Sequence, residues 1–256
     1  MNRVLVMTRF NLRTLLDWKW LVTAWAVFGL QASVYGALLS RLVTLQDYVF
    51  YYALGLMVIA VFESASNLGR HFVEHAHEGE LPYFLSLPIS RRGLFTSNSL
   101  YGMTDTLLKV LPPLLVTLAY FGRLTIPNVV FVLLTLCLLG LGISGLMISM
   151  SFVAFKSVDI YNALIIALSA LLIRFSTVFY PLAFIQQAGG GSSFANAPYI
   201  SPLSYGADLM RWILGFDPST LMNPVLALAV ISAIMVATLS IGVMIVERML
   251  EGIKAA

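Results

Sequence analysis

Long apolar runs alternate with short polar connections along most of the chain. A bilayer core about 30 Å thick is crossed by roughly 20 apolar helical residues, and runs of that length recur throughout the sequence. The pattern predicts six membrane-spanning helices at residues 20–39, 48–68, 106–122, 128–152, 160–180 and 222–246. We therefore expect an all-α integral membrane protein, with residues 1–256 forming a single transmembrane domain.

One uncharged stretch, residues 175–207, lies between the last two predicted spans but is too broken to be a span itself. The residues that interrupt it are Pro181, Gly189, Gly190, Gly191, Pro198 and Pro202. Proline and glycine both disfavour a continuous helix. We expect a re-entrant helical hairpin over residues 181–218, with Pro181 ending its first arm and Pro202 beginning its second. Irregular backbone at membrane depth must be buried in protein or line water, so a pathway or gate is expected here.

Composition agrees with a membrane protein. The chain is 59% hydrophobic and 11% charged, whereas globular domains carry about 25% charged residues. The net charge of +3 is explained by basic loops, and we expect no nucleic-acid partner. The single cysteine, Cys137, cannot form an intrachain disulfide.

Lysine and arginine are distributed asymmetrically between the predicted loops. With the N-terminus inside, ten of them fall in cytoplasmic segments and three, Arg41, Arg123 and Arg211, in outer segments. Cytoplasmic loops are enriched in such residues. We therefore expect a multi-pass protein of the cell membrane with both termini cytoplasmic and the hairpin on the outer face. No cleavable signal peptide is expected at the N-terminus.

Two cytoplasmic segments have an amphipathic character. Residues 1–19 are expected to form an interfacial helix on the membrane surface, or else a basic leader that only fixes orientation. The connection 69–105 is expected to begin with a helical extension of the second span, residues 70–80. Residues 81–95 then form an apolar, exposed stretch that requires a partner protein with a groove or, alternatively, lipid headgroups.

Two motifs resemble the type 2 ABC transporter permease family. The first is Glu78-Gly79-Glu80-Leu81 followed by Phe84-Leu85-Ser86-Leu87-Pro88-Ile89-Ser90-Arg91. The second is Phe179-Tyr180-Pro181-Leu182 with Ser201-Pro202-Leu203-Ser204-Tyr205, Asp208 and Arg211. Ser201 stands where the family usually has Asn. The two motifs lie in the expected connections of a six-span chain.

The resemblance implies an assembly of two permease halves, identical or related, with two copies of a cytoplasmic ATPase that binds ATP and Mg. This chain has no G-x-x-x-x-G-K-[ST] phosphate loop, and we expect no enzyme activity, cofactor or metal in it. By resemblance, residues 81–95 are the coupling helix. The expected ATPase-coupling residues are Glu78, Gly79, Leu81, Leu85, Leu87, Pro88, Ile89, Arg91 and Arg92. The expected substrate path or gate residues are Arg174, Phe179, Tyr180, Pro181, Pro202, Tyr205, Asp208 and Arg211.

These features favour the membrane subunit of an ATP-driven exporter for an amphipathic or hydrophobic substrate, such as a drug, peptide or lipid-like molecule. A polysaccharide-exporting permease and a membrane assembly or sensor subunit without transport remain alternatives. An ion-coupled transporter is disfavoured because no internal repeat is evident.

Several polar residues were weighed as sites. His71, Glu74 and His75 match H-x-x-E-H, but a suitable third metal ligand is missing. Asp105 and Lys109 are expected to form a structural i, i+4 pair. Glu63 and Arg174 lie within predicted spans, where ionisable groups are costly. Glu63 is expected to face an inner vestibule or to hydrogen-bond with Ser64, Ser66 or Asn67, and the structural role is favoured. Arg174 is expected to snorkel outward or to line the path.

Two further expectations follow. Asp208 and Arg211 are expected to mark the return of the hairpin to water or its contact with the second permease half. Gly142-Ile143-Ser144-Gly145 resembles a rhomboid serine motif without the histidine base, and it is interpreted as a helix-packing surface.

Overall fold

The structure is a computed structural model that describes residues 18–41, 47–79, 90–121, 125–154, 157–188, 193–216 and 221–254. Its regular secondary structure is entirely helical, and the described residues include no strand. Five helices in this part of the chain are long and apolar enough to cross a membrane. The expectation of an all-α protein is confirmed, and the five helices give the chain the character of a multi-pass membrane protein.

The helices follow one another with short connections. In chain order they are α1 (Trp18–Leu39, π-helical over Gln31–Tyr35), α2 (Tyr48–His77), α3 (Arg91–Phe121), α4 (Ile126–Val153), α5 (Val158–Arg174), α6 (Leu182–Ala188), a 3₁₀ helix (Ser193–Ile200), α7 (Pro202–Ile213) and α8 (Pro224–Lys254). The five candidate spans belong to α1, α2, α3, α4 and α8.

Helix α2 lies at the centre of the fold. It packs against α3, α4, α5 and α7. In the 18-residue apolar stretch of each candidate span, 78% of α2 is buried inside the protein, whereas 17% of α1 and 11% of α8 are buried. The core residues of α2 include Leu54, Met57, Val58 and Val61, all fully buried. The outer faces of α1 and α8 keep their apolar side chains exposed, as expected for helices that face lipid.

Several predicted boundaries differ from the observed ones. The predicted fifth span, 160–180, corresponds to the 17-residue α5, which ends at Arg174. The predicted third span begins at residue 106, whereas α3 already begins at Arg91 and carries Pro112 and Pro113 inside it. The predicted connection 69–105 is correspondingly shorter, since α2 extends to His77. The expected extension of the second span is thus confirmed.

The early start of α3 changes the surroundings of one residue in the expected coupling helix. Phe95 was expected on an apolar exposed stretch, but it is buried and packs with Leu68, Phe72, Ile148 and Phe152. Ser90 caps the new helix by accepting a hydrogen bond from the Gly93 backbone N–H at 3.0 Å. A capped helix start lets the chain continue as helix directly into the core.

Gly55 shows how closely α2 meets the broken stretch that follows α5. A Cβ atom at Gly55 would lie 2.1 Å from the carbonyl oxygen of Val178. Only glycine permits that approach. The backbone after α5 is therefore seated directly on the central helix. The expected interfacial helix, residues 1–19, lies outside the described residues except for Trp18 and Lys19, which begin α1.

Candidate functional site

The chain leaves helical conformation at the end of α5, and residues 175–181 form what we call the broken segment. The last carbonyls of a helix have no partner within it. Here the Leu172 carbonyl accepts a hydrogen bond from Ser201 Oγ at 2.6 Å. Ser201 is also the N-cap residue of α7, and Pro202 occupies its first turn. A helix thus begins at Pro202, the residue predicted to start the second arm, and its N-cap residue is hydrogen-bonded to the end of α5.

Arg211 is the centre of the contacts that hold the broken segment. Its Nη1 donates to the Thr177 carbonyl at 2.7 Å and to Asp208 Oδ1 at 3.0 Å. Its Nη2 donates to the carbonyls of Val178 at 2.7 Å and Tyr51 at 3.0 Å. We call these five residues the Arg211 clamp. It joins α7, α2 and the broken segment through one guanidinium group, whose planar fork suits several acceptors at once.

Asp208 supplies the charge that balances Arg211. Besides the arginine, it accepts hydrogen bonds from Thr177 Oγ1 at 2.8 Å and from the Met222 backbone N–H at 3.2 Å. Burial raises the pKa of the Asp208 carboxyl, and Arg211 and the two other donors oppose that shift. A buried ion pair is tolerated only when such additional hydrogen bonds accompany it.

Two tyrosines of α2 complete the attachment of the broken segment. Tyr51 OH donates to the Thr177 carbonyl at 2.6 Å, and Tyr48 OH donates to the Phe179 carbonyl at 2.9 Å. The Arg211 guanidinium carbon lies 3.3 Å from the centre of the Tyr51 ring, a cation–π contact in a desolvated setting. Three successive carbonyls, of residues 177 to 179, thereby receive donors from side chains.

The expectation that Asp208 and Arg211 mark a return to water or a contact with the second permease half is wrong. Both side chains have no exposed surface within this chain alone. The physical reason is the broken segment itself, because its carbonyls need donors that the helices cannot supply. Both Nη atoms of Arg211 serve that task, and its Nε is buried with no hydrogen-bond partner among the described residues.

The other expected gate residues divide by exposure. Pro181 and Pro202 are buried, and Tyr205 is buried with its hydroxyl donating to the Tyr199 carbonyl at 2.9 Å. Phe179 is half-buried and stacks on Tyr52 at 5.4 Å between ring centroids.

The remaining two expected gate residues are accessible. Arg174, the last residue of α5, is exposed. Tyr180 is also exposed and stacks on Phe184 at 6.0 Å. Of the expected gate residues, only Arg174 and Tyr180 are therefore exposed, and Tyr180 is exposed to 43%.

Most of the expected coupling residues lie outside the described part of the chain, namely Leu81, Leu85, Leu87, Pro88 and Ile89. Glu78 and Gly79 follow α2 and are exposed; Gly79 has φ 74°, which stops the helix. Arg91 and Arg92 form the first turn of α3. The expected coupling motif thus connects α2 directly to α3.

A second polar region occupies the half of α2 nearer His77. Glu63, Asn67 and Arg70 are exposed and Glu74 is half-buried, all on one side of the helix. Arg70 Nε donates to Glu74 Oε1 at 2.8 Å. We call these four residues the polar face of α2. Glu63 was interpreted as structural, but it makes no ion pair within the described residues.

Two other groups of polar residues have structural roles. The expected Asp105–Lys109 pair is confirmed, with Lys109 Nζ 3.0 Å from Asp105 Oδ2 and both side chains buried. Lys109 also lies over the Trp20 ring of α1 at 5.5 Å. His71 Nδ1 lies 3.2 Å from Glu74 Oε2, but no metal-binding group of three ligands occurs in the part of the chain that the structure describes.

Sequence reasoning assigned no site role to Tyr48, Tyr51 and Thr177, and it used Ser204 only as part of the second motif. Ser204 Oγ accepts from the Thr177 backbone N–H at 3.1 Å. The Tyr48 and Tyr51 pair, three residues apart on one helix face, was a signal that could have been used. Nothing in the sequence distinguishes Thr177, because its role depends on contact with residues about thirty positions later.

The fold and these contacts define the class of the protein as a multi-helix membrane protein. Its non-helical broken segment is attached near one end of the central helix α2. No family model matches the chain, and no curated protein matches it.

Proposed function

We propose that this chain is the membrane-spanning permease subunit of an ATP-driven ABC exporter that moves an amphipathic or hydrophobic substrate out of the cytoplasm. The observation that supports the proposal is the attachment of the later part of the second motif to the backbone that leads into its earlier part. Ser201 and Arg211 of the later part donate hydrogen bonds to the carbonyls of Leu172, Thr177 and Val178, which directly precede the earlier part. Residues of the later part thus fix the position of the chain at the point where the earlier part begins.

The proposed topology has six spans, with α5 as the fifth. A helix of 17 residues is about 26 Å long at 1.5 Å per residue, close to the bilayer core of about 30 Å. The re-entrant hairpin over residues 181–218 then contains α6, the 3₁₀ helix and α7 on the outer face. Both termini lie in the cytoplasm of a cell-membrane protein, and a second permease half completes the pathway.

The proposed mechanism transmits motion along α2. Two copies of a separate ATPase bind ATP and Mg, close, and push on residues 81–95 between α2 and α3. The Arg211 clamp fixes the broken segment to the other end of α2, so movement of that helix displaces the outer segment with it. Closure of the ATPase subunits at the cytoplasmic face and opening of the pathway at the outer face are then coupled through α2.

The first experiment tests the ATPase contact. Leu87→Asp together with Ile89→Asp should abolish substrate-stimulated ATPase activity in proteoliposomes containing the permease and its ATPase, because charged groups do not fit an apolar groove. Leu42→Asp together with Leu45→Asp, in the connection proposed for the opposite face, is the matched control and should leave stimulation intact. Unchanged stimulation in the first variant would remove the coupling assignment, and failure of any ABC ATPase to co-purify would remove the exporter.

The second experiment tests the gate with its two exposed residues. Arg174→Ala and Tyr180→Ala remove side chains that reach outward, so they change cargo contacts without disturbing the buried clamp. Vanadate-sensitive transport should fall in at least one of them while the amount of folded protein stays constant. If both variants transport as well as the wild type, the gate assignment is incorrect.

A further inference from the structure

One face of α2 changes character along its length. Tyr52, Leu56, Ile59, Glu63 and Asn67 follow one another three or four residues apart, so they lie on the same side of the helix. At the Tyr48 end this side is covered, since Phe179 and Ile59 pack against a buried cluster that includes Tyr52 and Leu56. From Glu63 onward the same side is exposed. Along α2 from Tyr48 toward His77, the polar face therefore begins after the part of the helix that Phe179 covers.

The charges on this face do not cancel. Arg70 is held by Glu74 at 2.8 Å, and Glu74 also has His71 at 3.2 Å. Glu63 has no ion-pair partner among the residues described. The polar face therefore carries one acidic group, near the middle of a membrane-spanning helix, that is available to a ligand.

Lipid and a second copy of the chain are poor occupants for this face. A charged residue at the centre of a membrane span costs about 2.5–3.5 kcal/mol on insertion scales, so Glu63 disfavours hydrocarbon. A two-fold symmetric contact centred on Glu63 would set two negative charges opposite each other. Arg70, engaged by Glu74, does not neutralise that repulsion. We therefore expect a bound cation to supply the positive charge that Glu63 lacks.

Ile59 is the apolar residue of this face that such a cation can reach, because Tyr52 and Leu56 are buried. Tyr52 and Phe179 stack at 5.4 Å between ring centroids. Tyr52 lies eleven residues from Glu63, which corresponds to about 16 Å along the helix. Ile59 lies between them, half-buried. A molecule with a positive group and an apolar or aromatic body matches this order of residues.

We propose that the polar face of α2 binds a lipophilic cation, with Glu63 pairing with its positive group and Asn67 hydrogen-bonding beside it. The apolar body lies against half-buried Ile59, four residues before Glu63 on the same side of the helix. This inference rests on the proposed function, because it names the cargo class of that exporter.

The test uses two probes of matched shape and opposite charge, tetraphenylphosphonium and tetraphenylborate. Their binding to the purified full-length chain in phosphatidylcholine nanodiscs is measured by equilibrium dialysis, with empty nanodiscs as background. The wild type should bind tetraphenylphosphonium above background, whereas its binding of tetraphenylborate should not exceed background. Glu63→Gln should lower tetraphenylphosphonium affinity at least about tenfold, as expected for loss of a poorly hydrated charge pair. Asp159→Asn, which removes an exposed acid at the start of α5, is the control and should bind as the wild type does.

Three results would overturn the inference. They are equal binding of the two probes, no binding of tetraphenylphosphonium above background, and unchanged affinity in Glu63→Gln. A Glu63→Gln variant that changes only the oligomeric state would assign the face to a contact between two copies and overturn it as well. Because the assay contains no ATPase, its outcome is independent of whether an ABC ATPase co-purifies, so failure of the cargo class and failure of the exporter are distinguishable.

Discussion

Two arginine–carboxylate pairs at opposite ends of α2 have similar lengths and opposite surroundings. Arg211 and Asp208 lie 3.0 Å apart with neither side chain exposed. Arg70 and Glu74 lie 2.8 Å apart with 51% and 30% of their side chains exposed. Exposed pairs contribute about 0–1 kcal/mol, whereas breaking a buried pair by removing one partner costs about 3–5 kcal/mol. Burial, and not distance, separates a structural contact from an accessible one.

The same difference divides the roles of the two halves of the helix. In the half near Tyr48, polar side chains satisfy backbone carbonyls of the broken segment and have little capacity left for a ligand. In the half near His77, polar side chains leave hydrogen-bonding capacity open. Ligand binding is therefore expected at the second region and mechanical attachment at the first.

The largest effect is expected from Arg211→Met. This change removes the guanidinium donor from three buried carbonyls and leaves the buried Asp208 carboxylate without its positive partner, which should destabilise the fold by about 3–5 kcal/mol. Thermal unfolding of the purified protein in detergent, followed by tryptophan fluorescence, measures the loss. Arg211→Lys keeps the charge but not the planar fork, so it should fall between Arg211→Met and the wild type. A melting temperature for Arg211→Met equal to that of the wild type would mean that the clamp does not hold the segment.

An intermediate effect is expected from Gly55→Ala. The added methyl group would meet the Val178 carbonyl, and overpacking of this kind costs about 1–3 kcal/mol. Gly140→Ala is the matched control, since its Cβ would lie 3.9 Å from Val61, an ordinary contact. The same unfolding measurement should separate the two variants, and equal stability would argue against direct seating of the broken segment on α2.

The smallest effect is expected from Glu74→Gln. Loss of the exposed pair with Arg70 should change stability by about 1 kcal/mol or less. Asp208→Asn, an equally conservative change at the buried pair, should cost more because it leaves the buried Arg211 uncompensated. If the two substitutions lower the melting temperature equally, burial does not account for the difference between the pairs.

Hydrophobic patterning was enough to predict the helical class and the approximate positions of α1, α2, α4 and α8. It was less successful where tertiary contacts determine the ends of helices. Helix α5 ends at Arg174 although apolar residues continue. The backbone leaves the helix there because Arg211, Tyr51 and Ser204 offer it other hydrogen-bond partners.

Asp208 and Arg211 were selected from sequence, but their environment was predicted wrongly. Their burial could not be inferred, because it depends on Tyr51, which lies 160 positions earlier. Charged residues are normally exposed, and that expectation failed where broken backbone needed donors.

Thiol labelling with a membrane-impermeant, positively charged reagent compares the two regions most directly. In a Cys137→Ala background, Asn67→Cys places a thiol on the polar face of α2, and Ser204→Cys places one beside the Arg211 clamp, where Ser204 is fully buried. Only a thiol reached by water ionises and reacts readily. We predict rapid labelling at residue 67 and none at residue 204 until the protein is denatured. Equal labelling of the two positions in the folded protein, or protection of residue 67, would contradict the division of α2 into an attached half and an accessible half.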